Sequence, residues 1–160
     1  MPNIFIEYRA EEHLVFGEDC HYYLDVPVFY NIENYLNERV QFLFDTGAYI
    51  TIINRATSAL FEFDRLPSII DEFPLTGFAG SCNASVKVIP WMAIGGRLLK
   101  GVKVAIPHEV TKHNILGMNV LDYFKYFIDS ESNKIFFSDN TKYKMPNELR
   151  CFEVLNISNI

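Results

Sequence analysis

Asp45, Thr46 and Gly47 stand together where the apolar run Phe42-Leu43-Phe44 stops and before the β-branched run Ile50-Thr51-Ile52-Ile53 begins. A carboxylate that ends a buried strand is costly unless it is hydrogen-bonded, shared or put to use. Chemically, such a group takes or gives a proton. On the residues alone two readings are open. In one, Asp45 starts an Asx-type turn, bonding its own backbone while Gly47 supplies a positive φ. In the other, the carboxylate is the purpose of the segment, and the surrounding elements must decide.

Other reactive side chains are less organised. Cys20, Cys82 and Cys151 are widely spaced and odd in number, which suggests neither a disulfide framework nor a paired metal site, so reduced thiols are expected. His13, His21, His108 and His113 show no HExxH and no tight ligand pairing, so no metal is expected. The net charge is −6, with lysines and arginines scattered singly, and no basic stripe could track a phosphate backbone. Nucleic acid is therefore not an expected partner. The start, "MPNIFIEYRAEEH", has no basic stretch leading into an apolar one, and no run approaches the roughly 18 apolar residues that span a bilayer. A cytoplasmic protein without membrane association is expected.

The 160 residues, 49% hydrophobic, suffice for one well-buried core. The organisation expected is an N-terminal extension over 1–20, possibly a strand at "NIFIEYR", a main domain over 21–139, and a C-terminal extension over 140–160. "CFEVLNI" in the last of these reads as a strand able to pair with another chain. Phe, Tyr, Val and Ile favour strands as the main material. Strands are predicted over Leu24 to Ile32 and Val40 to Asp45, with Val40, Phe42 and Phe44 on one face. A further β-branched strand is expected after Gly47, then a short helix capped at Asn54. "DRLPSIIDEFP" reads as loop. "LTGFAGSCNASVKVIPWMAIGG" reads as a long hairpin with a tip at Gly77-Phe78-Ala79-Gly80, and "RLLKGVKVAIP" as a strand. Val120, Leu121, Phe124 and Phe127 recur at helical spacing, which predicts a helix with its Phe stripe in the core. "NKIFFSD" reads as a closing strand.

An apolar strand into "FLFDTGA", a β-branched strand out, a Gly-tipped hairpin and then "NILGMNVL" together resemble the retropepsin-like aspartic proteases, of the single-domain, bacterial type. The resemblance spans Val26 to Phe137. It implies an all-β, retropepsin-like barrel with one short C-terminal helix and a flap hairpin, and half an active site per chain, because the triplet occurs once. An active enzyme is then a homodimer in which two Asp45 carboxylates share one proton and activate a water, with no metal or cofactor. Asp45, Thr46 and Gly47 are implied as the catalytic triplet, Thr46 reaching across to the partner's backbone. Ala48 and the tip Gly77, Phe78, Ala79 and Gly80 are implied to hold an extended peptide or unfolded-protein substrate. Ile115, Leu116 and Gly117 are implied to back the catalytic loop by packing.

Many viral members carry an acidic residue directly after Asp-Thr-Gly-Ala and an arginine directly after the later glycine. Here Tyr49 and Met118 stand instead, a loss of both members of an ion pair. Cys82 reads as inert packing or, less simply, as a redox brake. Trp91 reads as packing in preference to groove lining. The alternative function is a retropepsin-like dimerisation or peptide-binding module with little or no proteolysis. A small β-barrel binding module with the triplet as a mere turn stands behind it.

Overall fold

The structure, a computed structural model, describes residues 8–31, 39–77, 80–140 and 152–156. Strands β3 (Tyr22–Phe29) and β4 (Arg39–Phe44) pair antiparallel, from Tyr23 opposite Leu43 to Pro27 opposite Arg39. Val40 and Phe42 are buried while Gln41 is exposed, the period-two pattern expected of a strand with one covered face. The longest ladder joins β7 (Gly80–Ile94) to β8 (Arg97–Pro107). Gly95 and Gly96 turn the chain between them with φ of +61° and +73°, as a two-residue turn of type I′ requires.

Two short strands complete the barrel. β5 (Thr51–Ile52) runs parallel to β8, and β9 (Asn114–Leu116) lies between β4 and β5. Hydrogen-bonded neighbours run β8, β5, β9, β4, β3, β7 and return to β8, so the sheet closes on itself. Leu24, Val26, Val28, Phe42, Met92, Leu99, Val104 and Leu116 fill its interior. β2 (Val15–Phe16) adds to β3, β6 (Ser68–Gly77) to β7, and β12 (Glu153–Asn156) to β8. A separate three-stranded sheet of β1 (Ala10–His13), β11 (Lys134–Asp139) and β10 (Phe124–Asp129) lays Phe124, Ile135 and Phe137 onto the same core. Helix α1 (Arg55–Leu60) starts at Asn54, whose side chain accepts the Thr57 N–H at 2.8 Å, the cap predicted from the sequence.

The chain is mostly β, as expected, but several elements differ. "DRLPSIIDEFP" is not a loop from Ser68 onward: β6 begins there and pairs with β7 through two register shifts. An edge strand tolerates Pro74 and exposed acidic residues, which is why composition misled. The helix expected through Phe127 is only α2 (Met118–Leu121), and Phe124 onward is β10, held by β11. Phe124 is in the core, but Phe127, on the other strand face, is 52% exposed. The strand after Gly47 is confined to Thr51–Ile52. Most of "NIFIEYR" falls outside the described residues, and the strand found nearby is Ala10–His13. The C-terminal strand pairs within its own chain, Val154 opposite Leu99, and Phe152 joins the core. Among the described residues no helix is long and apolar enough to cross a membrane.

Candidate active site

β4 delivers Asp45 to the barrel rim, where the chain turns. Its carboxylate Oδ1 accepts the Gly47 N–H at 2.8 Å, and its carbonyl accepts the Ala48 N–H at 3.3 Å. This is the Asx turn of the simpler reading, but Gly47 does not use a positive φ. Glycine serves closeness instead: a Cβ at Gly47 would stand 3.1 Å from Asp45 Oδ1. Asp45 is half-buried, whereas Thr46 and Gly47 are exposed. Among the described residues the Thr46 hydroxyl makes no hydrogen bond.

The segment Ile115-Leu116-Gly117 lies directly behind this loop. Ile115 pairs with both Leu43 and Ile52, and the Leu116 carbonyl accepts the Asp45 N–H at 3.3 Å. Past Gly117, the backbone N–H groups of Met118 and Asn119 donate to the carbonyls of Ala48 and Tyr49 at 2.7 and 3.1 Å. The loop after Asp45 is thus stitched to the start of α2, whose first N–H groups would otherwise lack partners. Gly117 is required by contact, since a Cβ there would meet Ile50 backbone atoms at 2.5 Å.

Two residues that sequence reasoning missed hold this arrangement from inside. Asn119, fully buried, accepts both the Thr51 N–H and the Thr51 hydroxyl on Oδ1 at 2.8 Å, and donates from Nδ2 to the Lys103 carbonyl at 2.9 Å. The Thr51 hydroxyl in turn accepts the Gly117 N–H at 3.1 Å. The one signal in the sequence was a polar residue inside the apolar stretch after Gly117.

The hairpin β6–β7 rises from the same side of the loop. Ile50 packs with Ala84, Val86 and Ala105, and Phe73 and Leu75 of the hairpin lean on that cluster. Gly77 pairs with Gly80 at its end, while Phe78 and Ala79 lie outside the described residues. Cys82 sits opposite Leu75 as a free, half-buried thiol. Trp91 packs away from the loop, stacked on Phe29 at 6.3 Å with Lys100 over its ring. Two cavities of about 580 and 530 Å³ lie elsewhere, one under α1 beside Lys87 and His108, the other between Asp19 and His113, and Asp45 lines neither.

The family model described as "gag-polyprotein putative aspartyl protease" matches residues 34–123, from before β4 to just past α2. The chain belongs to this aspartyl protease family. No curated protein matches the chain. Among solved structures, this aspartyl protease relative is similar to a retropepsin-like aspartic protease from Rickettsia conorii, with 20% identity over 83% of this chain and 94% of that one, and a TM-score of 0.56. It is also similar to the EIAV protease in complex with the inhibitor HBY-793, with 17% identity over 67% of this chain and 90% of that one, and a TM-score of 0.51. At these identities the likeness establishes the retropepsin-like fold.

Proposed function

We propose that the chain is one half of a homodimeric aspartic endopeptidase, cytoplasmic and acting on extended peptides or unfolded protein segments. The observation that carries this reading is the single Asp45 loop, braced from behind by Leu116-Gly117 and open in front at Thr46 and Gly47. A second copy covering that open side around a two-fold axis sets the two Asp45 carboxylates side by side. At about 3 Å apart they hold one proton between them.

In the proposed reaction the ionised Asp45 takes a proton from a water held between the pair, and the water oxygen bonds to the peptide carbonyl carbon. The protonated Asp45 of the other chain gives its proton to the carbonyl oxygen as charge develops there. Collapse of the tetrahedral intermediate breaks the C–N bond, with a proton passed to the leaving nitrogen. No metal or organic cofactor takes part. Thr46 spends its hydroxyl on the partner's backbone, and Ala48 with Gly77, Phe78, Ala79 and Gly80 holds the substrate. The terminal extensions, 1–20 and 140–160, are proposed contributors to the dimer interface. β12 ends the sheet order, so one of its edges has no partner strand among the described residues.

Digestion of a diverse peptide library by wild type beside Asp45→Asn, read by mass spectrometry, tests the reading. Cleavage by the wild type and none by the variant is expected. Equal cleavage by both would take the cleavage away from Asp45, and none by a dimeric wild type favours a binding module of the same fold.

A further inference from the structure

The position after Asp-Thr-Gly-Ala, where Tyr49 departs from the viral pattern, is not idle. The Tyr49 hydroxyl donates to the Pro74 carbonyl at 3.1 Å, and its ring lies against Phe73 with centroids 5.9 Å apart. Met118, at the other departing position, packs its side chain on the core and uses its backbone N–H on Ala48. The side-chain brace therefore runs from the loop to the hairpin, not from the loop to α2.

Pro74 stands where the hairpin leaves the barrel. Ala84 still pairs with Pro107 of β8 on one side and with Phe73 of β6 on the other. Asn83, opposite Pro74, still accepts the His108 N–H at 2.9 Å, and from Leu75 opposite Cys82 to Gly77 opposite Gly80 the ladder is β6 against β7 alone. A two-stranded ribbon by itself is marginally stable in water. Three residues at about 3.3 Å each put the end of β6 about 10 Å beyond Pro74, so a small rotation at Pro74 is magnified at the tip. Tyr49 itself cannot drift, because its carbonyl is bonded by the Asn119 N–H and its neighbour Ile50 is fully buried against Ala84 and Val86.

We propose that Tyr49 is a positioning residue, whose hydroxyl latches the root of the β6–β7 hairpin to the Asp45 loop of the same chain and keeps the hairpin poised for substrate. Its effect on substrate rests on the protease reading; the latch does not. Removing the hydroxyl lowers the population of the poised hairpin, which weakens apparent substrate affinity by the same factor and leaves the chemistry at Asp45 alone.

The test is amide hydrogen exchange in wild type and Tyr49→Phe, which keeps the ring and removes only the hydroxyl. Amides of Leu75 and Cys82, the hydrogen-bonded pair next to Pro74 in the ribbon, are expected to exchange about fivefold faster in the variant, the factor that one net hydrogen bond implies. Those of Val102 and Val104 in β8 should not change. On a cleaved peptide, KM should rise, by up to about fivefold, with kcat within about twofold of wild type. Unchanged exchange in the hairpin overturns the latch. Faster exchange with unchanged KM overturns the positioning role. A wild type that cleaves nothing contradicts the protease reading instead, and the exchange comparison then decides the latch by itself.

Discussion

Gly117 sits so close to Ile50 that a Cβ at Gly117 would stand 2.5 Å from both the carbonyl carbon and the carbonyl oxygen of Ile50. The two residues are 67 positions apart in the chain, and their contact fixes the loop that carries Asp45 against the start of α2. Backbone on both sides leaves no flexible side chain to yield. Gly117→Ala is therefore expected to destabilise the fold by about 2–3 kcal/mol, the range of overpacking in a tight interior. Urea unfolding of the two proteins checks this.

The buried pair Thr51 and Asn119 should behave as one unit. Asn119→Leu takes the acceptor from the Thr51 N–H and hydroxyl and the donor from the Lys103 carbonyl, a cost of about 2–3 kcal/mol. Thr51→Val removes the hydroxyl that accepts the Gly117 N–H. Because the two share a network, the double variant is expected to lose less than the sum of the singles, by about 1 kcal/mol in a double-mutant cycle. Simple additivity would show that the two act independently.

Much of the loop geometry at the candidate site was legible because it is local. The triplet at the end of an apolar strand, the Leu116-Gly117 segment and the Asn54 cap are each written in a few adjacent residues. What failed depends on distant chain. β6 is a strand because β7 offers it a ladder, which outweighs the loop-like composition of Asp71, Glu72 and Pro74. Phe127 shares helical spacing with Phe124, yet β11 pulls both into a strand where they face opposite ways. Thr51 and Asn119 lie 68 residues apart, so nothing in either stretch announces their bond.

Glu12 supplies a pH dependence of stability unrelated to catalysis. Burial in β1 raises its carboxyl from 4.5 to about 7, against a smaller opposing pull from the Gly95 N–H and Arg39, and its Oε2 is buried without a hydrogen-bond partner. The folded chain thus keeps a proton that the unfolded chain loses near pH 4.5. Stability from this group is complete below about pH 4.5 and is lost as pH rises towards about 7, by up to about 3 kcal/mol. Urea midpoints of Glu12→Gln between about pH 4.5 and 7.5 should lack this fall. A fall as steep as wild type would assign it to other groups.

An active site shared by two chains through Asp45 is tested most directly by subunit mixing. Wild type held at constant concentration is mixed with increasing Asp45→Asn chain, allowed to exchange subunits, and assayed on a cleaved peptide. Mixed dimers hold one carboxylate and cannot share a proton between two. Activity per wild-type chain should therefore fall towards zero as the variant comes into excess. Activity that stays constant across the titration would contradict the shared site and place a complete centre within each chain.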